Sequence, residues 1–186
     1  MTEADPPGKK SLDLRQSWFL GAMAIAVIMM FSFVILPYVD PKPAKFSGQA
    51  AVDFDLELIS GGAPGDRVRL SDLQGKTVVL DFWASWCAPC REQSEVLAQI
   101  APQLGPNVML LGVATSDQKP SAQAYVDAHK PPYSNAFDLG GEVALSYRVT
   151  TLPTLIVVDP QGVVRSVGSR IYSASELLAM IRKISG

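Results

Sequence analysis

The chain has 186 residues, 48% of them hydrophobic and only 18% charged, with a mean hydropathy of +0.18. These values exclude a disordered or collagen-like polypeptide, and a formal charge of −2 with a pI near 5.4 excludes a strongly basic nucleic-acid binder. Two cysteines and one histidine exclude a disulfide-rich scaffold.

The apolar excess is local. Trp18 to Leu36 carries no charge and a single hydroxyl, Ser32. At about 1.5 Å per residue this segment spans about 28 Å, close to the hydrocarbon thickness of a bilayer. Trp18 and Tyr38 stand near its two ends, where amphipathic rings favour the membrane interface. A cleaved signal peptide has a shorter apolar run followed by a small-x-small site. Here Pro37-Tyr38-Val39-Asp40 follows instead, and Gly48-Gln49-Ala50 lies far downstream. The segment 18–36 therefore reads as a transmembrane signal-anchor, with 1–17 as a short cytoplasmic N-terminus. Lys9, Lys10 and Arg15 before it against Lys42 and Lys45 after it lean toward that orientation. Residues 37–45 are rich in proline and form an extended linker. The remainder, 46–186, is long enough to bury a full core, and acidic residues outnumber basic ones within it.

Val52 to Ile59 alternates apolar and acidic residues, the period of a half-buried strand. The turn Gly61-Gly62-Ala63-Pro64-Gly65 lets Arg67–Leu70 return as a hairpin. Thr77 to Trp83 is a continuous apolar run suited to a central strand covered on both faces. A helix is expected from Pro89 to about Leu104, with Val96, Leu97 and Ile100 on one stripe and Pro89 in the first turn. Val108 to Ala114 is the next buried strand. Ser121 to Lys130 is a helix with Tyr125 and Val126 inward, stopped by Pro131-Pro132. Leu155–Val158 and Val163–Val167 flank Asp159-Pro160-Gln161-Gly162 as a hairpin. Ser173 or Ser175 caps a last helix carrying Leu177, Leu178, Ile181 and Ile184. Strands alternating with helices before a final hairpin make an α/β domain with a mixed central sheet flanked by helices.

Both cysteines lie in Trp86-Cys87-Ala88-Pro89-Cys90, where the central strand passes into a helix. A structural zinc site needs four Cys/His ligands. The chain holds three such residues, and His129 falls in another predicted helix, where it reads as an ordinary surface residue. No metal and no cofactor are expected. Two inert buried cysteines are the bland alternative; the positive reading of a C-x-x-C pair at a strand-to-helix turn is a dithiol–disulfide couple. Unpaired N–H groups and the helix dipole at the helix start stabilise a thiolate on Cys87. Attack by Cys87 on a disulfide gives a mixed disulfide, which Cys90, one turn later, resolves. Ala88-Pro89 fixes the loop between them.

The stretch Val78-Val79-Leu80-Asp81-Phe82-Trp83-Ala84-Ser85-Trp86-Cys87-Ala88-Pro89-Cys90-Arg91 resembles the active site of the thioredoxin superfamily. Leu70-Ser71-Asp72-Leu73-Gln74-Gly75-Lys76, Tyr147-Arg148-Val149, Leu152-Pro153-Thr154 and Asp159-Pro160-Gln161-Gly162 narrow the resemblance to membrane-anchored TlpA/ResA-type proteins, over about residues 46–184. The resemblance implies a thioredoxin-like fold with an N-terminal β-hairpin and an insert near 131–146. It makes Asp81 a buried proton acceptor for Cys90, an assignment that suits an acid in an apolar strand, since desolvation raises its pKa. It makes Pro153 a cis-proline facing the disulfide, which offers backbone groups to an extended client and keeps metal off the thiols. Trp86, Ala88, Pro89 and Leu152 become the substrate-contacting rim. The implied function is reduction of protein disulfides in a bacterial envelope, including those of apocytochrome c, by a monomer on the outer side of the cytoplasmic membrane, recharged by a membrane thiol donor. Gln93 and Glu95 stand where many relatives carry Glu and Pro, and no Glu lies between the cysteines. Both departures weaken assignment to cytochrome maturation.

Two rivals remain. A peroxiredoxin-like thiol peroxidase shares the hairpin and insert but sets its peroxidatic cysteine with Thr and Arg rather than in Trp-Cys-x-x-Cys. A non-catalytic adaptor has no need of both cysteines. Peroxide consumption by Cys90→Ser supports the first, and disulfide turnover that survives Cys87→Ser supports the second.

Overall fold

The computed structural model describes residues 14–39 and 46–186. It comprises two compact units, Met1–Lys42 and Pro43–Gly186. In the first, helix α1 runs over Leu14–Val39, and its side chains from Trp18 to Met30 are exposed. Among the described residues, no helix is long and apolar enough to cross a membrane. Residues 1–13 and 40–45, which include most of the expected N-terminal segment and linker, lie outside the described residues.

The second unit is built on one seven-stranded sheet in the order β2-β1-β5-β4-β3-β6-β7. Its strands are β1 (Asp55–Ser60), β2 (Arg67–Arg69), β3 (Thr77–Trp83), β4 (Val108–Ala114), β5 (Ser134–Phe137), β6 (Thr154–Val158) and β7 (Val164–Gly168). Strands β3, β4 and β5 are mutually parallel, and the pairs β1–β2, β1–β5, β3–β6 and β6–β7 are antiparallel. Helices α2 (Ala88–Ile100), α3 (Lys119–His129), α4 (Glu142–Ser146) and α5 (Ala174–Ser185) complete it.

Every residue of β3 is buried, because both faces are covered. Val78, Leu80 and Phe82 pack with Phe54, Leu111, Ile156 and Tyr147 on one side. Val79 points the other way, into a cluster with Leu97 and Ile100 of α2 and Leu177 and Ile181 of α5. Trp83, also on that side, joins Ala114, Phe137, Val126 and the two cysteines. The period of two thus puts Asp81 between Val79 and Trp83, on the α2 side.

Sequence and structure differ at four places. The alternation from Val52 becomes a strand only at Asp55, and the register shifts between Leu58 and Ser60, so burial passes from Leu56 to Ile59. A bulge inserts one residue and turns later side chains to the opposite face. Helix α2 ends at Ile100 and continues as a single 3-10 turn, Ala101–Gln103, because Pro102 lacks the N–H that α-helical pairing needs. Helix α3 starts at Lys119, with Pro120 in its first turn, and buries Ala122 and Val126 rather than Tyr125. The region near 131–146, expected only as an insert, contains β5 and α4. β5 joins the hairpin to the rest of the sheet, and four residues (Ser-Asn-Ala-Phe) are too few to show a period. Of the two candidate caps, Ser173 is the one used: its Oγ accepts from the Glu176 N–H at 3.3 Å, and Glu176 accepts from the Ser173 N–H at 2.8 Å.

Candidate active site

Strands β3 and β4 are parallel, so their C-terminal ends lie on one edge of the sheet, where ligands of open α/β sheets collect. The chain leaves β3 at Trp83, and the Cys87 N–H donates to the Ala84 carbonyl at 3.0 Å. Cys87 then caps α2 in extended geometry, and its Sγ accepts from the Cys90 N–H at 3.3 Å. Pro89 sits in the first turn, where no backbone N–H is missed.

Cys87 and Cys90 are joined by a disulfide with their Cα atoms 5.3 Å apart. Both are buried, at 4% and 3% exposure. Their surroundings are exposed: Ala88 and Pro89 lie open, and Trp86 is 64% exposed. Leu152 is half-buried and packs against the cluster holding both cysteines. The Leu152–Pro153 bond is cis. Thr154, the next residue, pairs with Phe82 of β3, which sets Pro153 level with Trp83 at the edge where the cysteine loop emerges.

The loop after β4 braces this turn. The Trp86 indole N–H donates to the Ser116 carbonyl at 3.0 Å. Asp117 accepts from the Ser85 N–H at 2.6 Å and from the Ser85 hydroxyl at 3.1 Å. Ser116 holds φ at 51°, a left-handed conformation uncommon outside glycine. None of these three residues was singled out from the sequence. The usable signal was the pairing of two parallel strands whose loops must meet at their C-terminal ends.

Asp81 is 2% exposed. Burial pushes its carboxyl up to about 7, because taking the anion out of water disfavours it. Its Oδ1 has no hydrogen-bond partner. It shares a narrow internal cleft with Cys90, Trp83, Ser94, Tyr125 and Tyr133. The Ser94 and Tyr133 hydroxyls lie 3.0 Å apart, and burial raises the pKa of Tyr133. Gln93 is buried, and its Oε1 accepts from the Tyr172 N–H at 2.7 Å, tying α2 to the approach of α5. His129 is exposed, with its ring stacked on Tyr125 at a centroid distance of 4.1 Å. Among the described residues no group of three or more His, Cys, Asp or Glu side chains is placed to hold a metal.

Sequence-predicted Cys87, Cys90, Trp86, Ala88, Pro89, Leu152 and Pro153 gather at the C-terminal end of β3, and Asp81 lies buried within β3 in the cleft that Cys90 also lines. The arrangement can hold a disulfide in a shallow apolar rim with a high-pKa carboxyl beneath it.

The chain is similar to the thiol-disulfide oxidoreductase ResA of Oceanobacillus iheyensis, at 31% identity over 121 residues. That match covers 64% of this chain and 63% of the ResA chain, slightly under two thirds of the relative's length. It is similar to the thiol:disulfide interchange protein DsbE of Xylella fastidiosa, at 26% identity over 163 residues, covering 87% of this chain and 81% of that one. Among solved structures, DsbF of MTB, described in mixed oxidized and reduced forms, superposes with a TM-score of 0.64 at 31% identity. The superposition covers 75% of this chain and 100% of that one. These relatives share the thioredoxin-like architecture expected from the motif around Cys87. The AhpC/TSA family model matches residues 47–167, which reach from the segment before β1 into β7. By that match the chain belongs to the AhpC/TSA family.

Proposed function

We propose that this chain is a membrane-tethered thiol–disulfide oxidoreductase that reduces disulfides of envelope proteins. The observation that carries the reading is the Cys87–Cys90 disulfide at the N-terminus of α2, with the buried Asp81 carboxyl in the cleft behind Cys90. In the reduced protein Cys87 is the nucleophile, because the helix N-terminus stabilises its thiolate. Its attack breaks the client disulfide and forms a mixed disulfide. Asp81 takes the proton of Cys90, whose thiolate then attacks Cys87 Sγ. The client leaves as a thiolate, two electrons have passed to it, and the Cys87–Cys90 bond is closed. Trp86, Ala88, Pro89, Leu152 and Pro153 form the surface on which an extended client segment rests.

Tethering rests on the sequence alone, on the uncharged run 18–36, since among the described residues no helix is long and apolar enough to cross a membrane. The DsbE match runs over more residues than 46–186 contain, so it extends into this N-terminal segment. An anchor holds the domain near a membrane thiol donor at high effective concentration. Residues 1–17 then lie in the cytoplasm, 37–45 space the domain from the bilayer, and the monomeric domain faces outward. Apocytochrome c is one candidate client.

Insulin reduction by the reduced full chain tests the activity: turnover is expected from the wild type and lost in Cys87→Ser. Turnover that survives Cys87→Ser overturns the proposal. A reduction potential near the strongly oxidising end, about −120 mV, overturns the reductase direction. Cys90→Ser is expected to trap client proteins on Cys87 as mixed disulfides. Peroxide consumption by that same variant decides for a thiol peroxidase instead. Protease accessibility of the domain in intact spheroplasts tests the tether, and protection there refutes the outward orientation.

A further inference from the structure

The loop that brings Leu152 and Pro153 to the disulfide has few hydrogen bonds of its own. Among the described residues, no backbone–backbone hydrogen bond involves Thr150, Thr151 or Leu152. A side chain holds the loop instead. Thr154, the first residue of β6, is 1% exposed. Its Oγ1 donates to the Thr151 carbonyl at 2.7 Å. The same oxygen lies 2.7 Å from the Oγ of Ser169, an exposed residue just past the end of β7.

A hydroxyl has one proton to donate. Thr154 gives its proton to the Thr151 carbonyl, so Ser169 is the donor in the second bond. Donation therefore runs from Ser169 to Thr154 to Thr151 and ends on a carbonyl. That carbonyl shares one planar peptide unit with the Leu152 N–H. In a trans unit the two groups point in opposite directions, so pinning the carbonyl onto Thr154 turns the Leu152 N–H away from it. Among the described residues no backbone carbonyl accepts from that N–H. Leu152 is half-buried and packs against the cluster holding both cysteines, and Thr151 is exposed. An unpaired main-chain donor just ahead of a strand is what an added extended segment pairs with.

We propose that Thr154 and Ser169 are positioning residues for client recognition: their hydroxyls together aim the Leu152 N–H at a main-chain carbonyl of the extended segment that carries the client disulfide. The inference rests on the reading of the rim around Leu152 as a client surface. It gives the site a preference for polypeptide as such, because the donor meets a group that every client segment carries. Neither hydroxyl takes part in the thiol exchange.

The test compares two oxidants of the reduced full chain in mild detergent. Insulin presents its disulfides within a polypeptide, whereas dithiobis(nitrobenzoate) has no peptide backbone. Single-turnover rates over a range of concentrations give a second-order rate constant for each. Thr154→Val removes the hydroxyl with little change of shape and is expected to slow the insulin reaction about three- to tenfold, the range of one net hydrogen bond. The dithiobis(nitrobenzoate) reaction is expected to keep its rate. Thr154→Ser, which keeps the hydroxyl, is expected to restore the insulin rate. Ser169→Ala truncates an exposed side chain without disturbing the core. It is expected to slow the insulin reaction selectively and by a smaller factor, since Thr154 still donates to Thr151. An insulin rate unaffected by Thr154→Val, equal slowing with both oxidants, or no recovery in Thr154→Ser overturns the proposal. A wild type inert toward both oxidants, or turnover that survives Cys87→Ser, overturns the oxidoreductase reading instead.

Discussion

Asp81→Asn separates the energetics of the buried acid from its chemistry. The Asp81 carboxyl titrates near 3.8 in an unfolded chain and is pushed up to about 7 in the folded one, by burial. The folded state therefore holds its proton more tightly, and the side chain's contribution to stability is fully present below about 3.8 and lost as pH rises through about 7. About three pKa units at roughly 1.4 kcal/mol each give about 4 kcal/mol between the two ends of that window. The absence of any hydrogen-bond donor on Oδ1 is what leaves the anion without compensation. Asn carries no charge at any pH, so its stability relative to wild type is expected to grow by about 4 kcal/mol from pH 4 to pH 8. Urea unfolding of the oxidised full chain, followed by tryptophan fluorescence at pH steps from 4 to 9, measures this difference. A wild-type minus variant difference that stays flat across the range, or that moves in wild type's favour as pH rises, refutes the argument. It would mean that Asp81 is solvated or paired when charged.

Other consequences follow from packing and caps. Ser173→Ala removes the hydroxyl that accepts from the Glu176 N–H and donates to the Glu176 carboxylate and is expected to cost about 1 kcal/mol in denaturant unfolding. Gly112→Ala places a methyl group against Asn135 Oδ1 and the Trp83 indole nitrogen, so a loss of about 1–3 kcal/mol is expected together with a changed Trp83 emission spectrum. An unchanged midpoint would show that β4 and β5 yield freely there. Ile156→Ala empties a fully buried site in the cluster shared with Leu80 and Phe82, with an expected loss of about 2–5 kcal/mol in the same assay.

Local chemistry made much of this protein legible from its sequence. β3 and β4 run over Thr77–Trp83 and Val108–Ala114 as the apolar runs predict, because strands buried on both faces need uninterrupted hydrophobic residues. The turn Asp159–Gly162 and the cap at Ser173 were readable because turns and caps depend on a few side chains acting on adjacent backbone. The reactive pair was readable because two cysteines three positions apart at a helix start have few other uses. The short strand β5 was not, since its four residues pair with both β1 and β4 and gain their stability from those distant partners rather than from their own pattern.

The sequence by itself determined which residues carry the redox couple and that an acid lies six positions before it on the central strand. Only the tertiary structure decided what surrounds that acid. The bulge at Leu58–Ser60, the packing of α3 through Ala122 and Val126, and the approach of Tyr133 to Ser94 come from segments distant in the chain. Sequence spacing reports neighbours along one helix or strand, through periods of 3.6 and 2. It carries no record of which loop closes over which strand end. The bracing of Trp86 by Ser116, the hold of Asp117 on Ser85 and the hydroxyl pair beside Asp81 exist only once parallel β3 and β4 bring their loops together and α2 and α3 close over the same face.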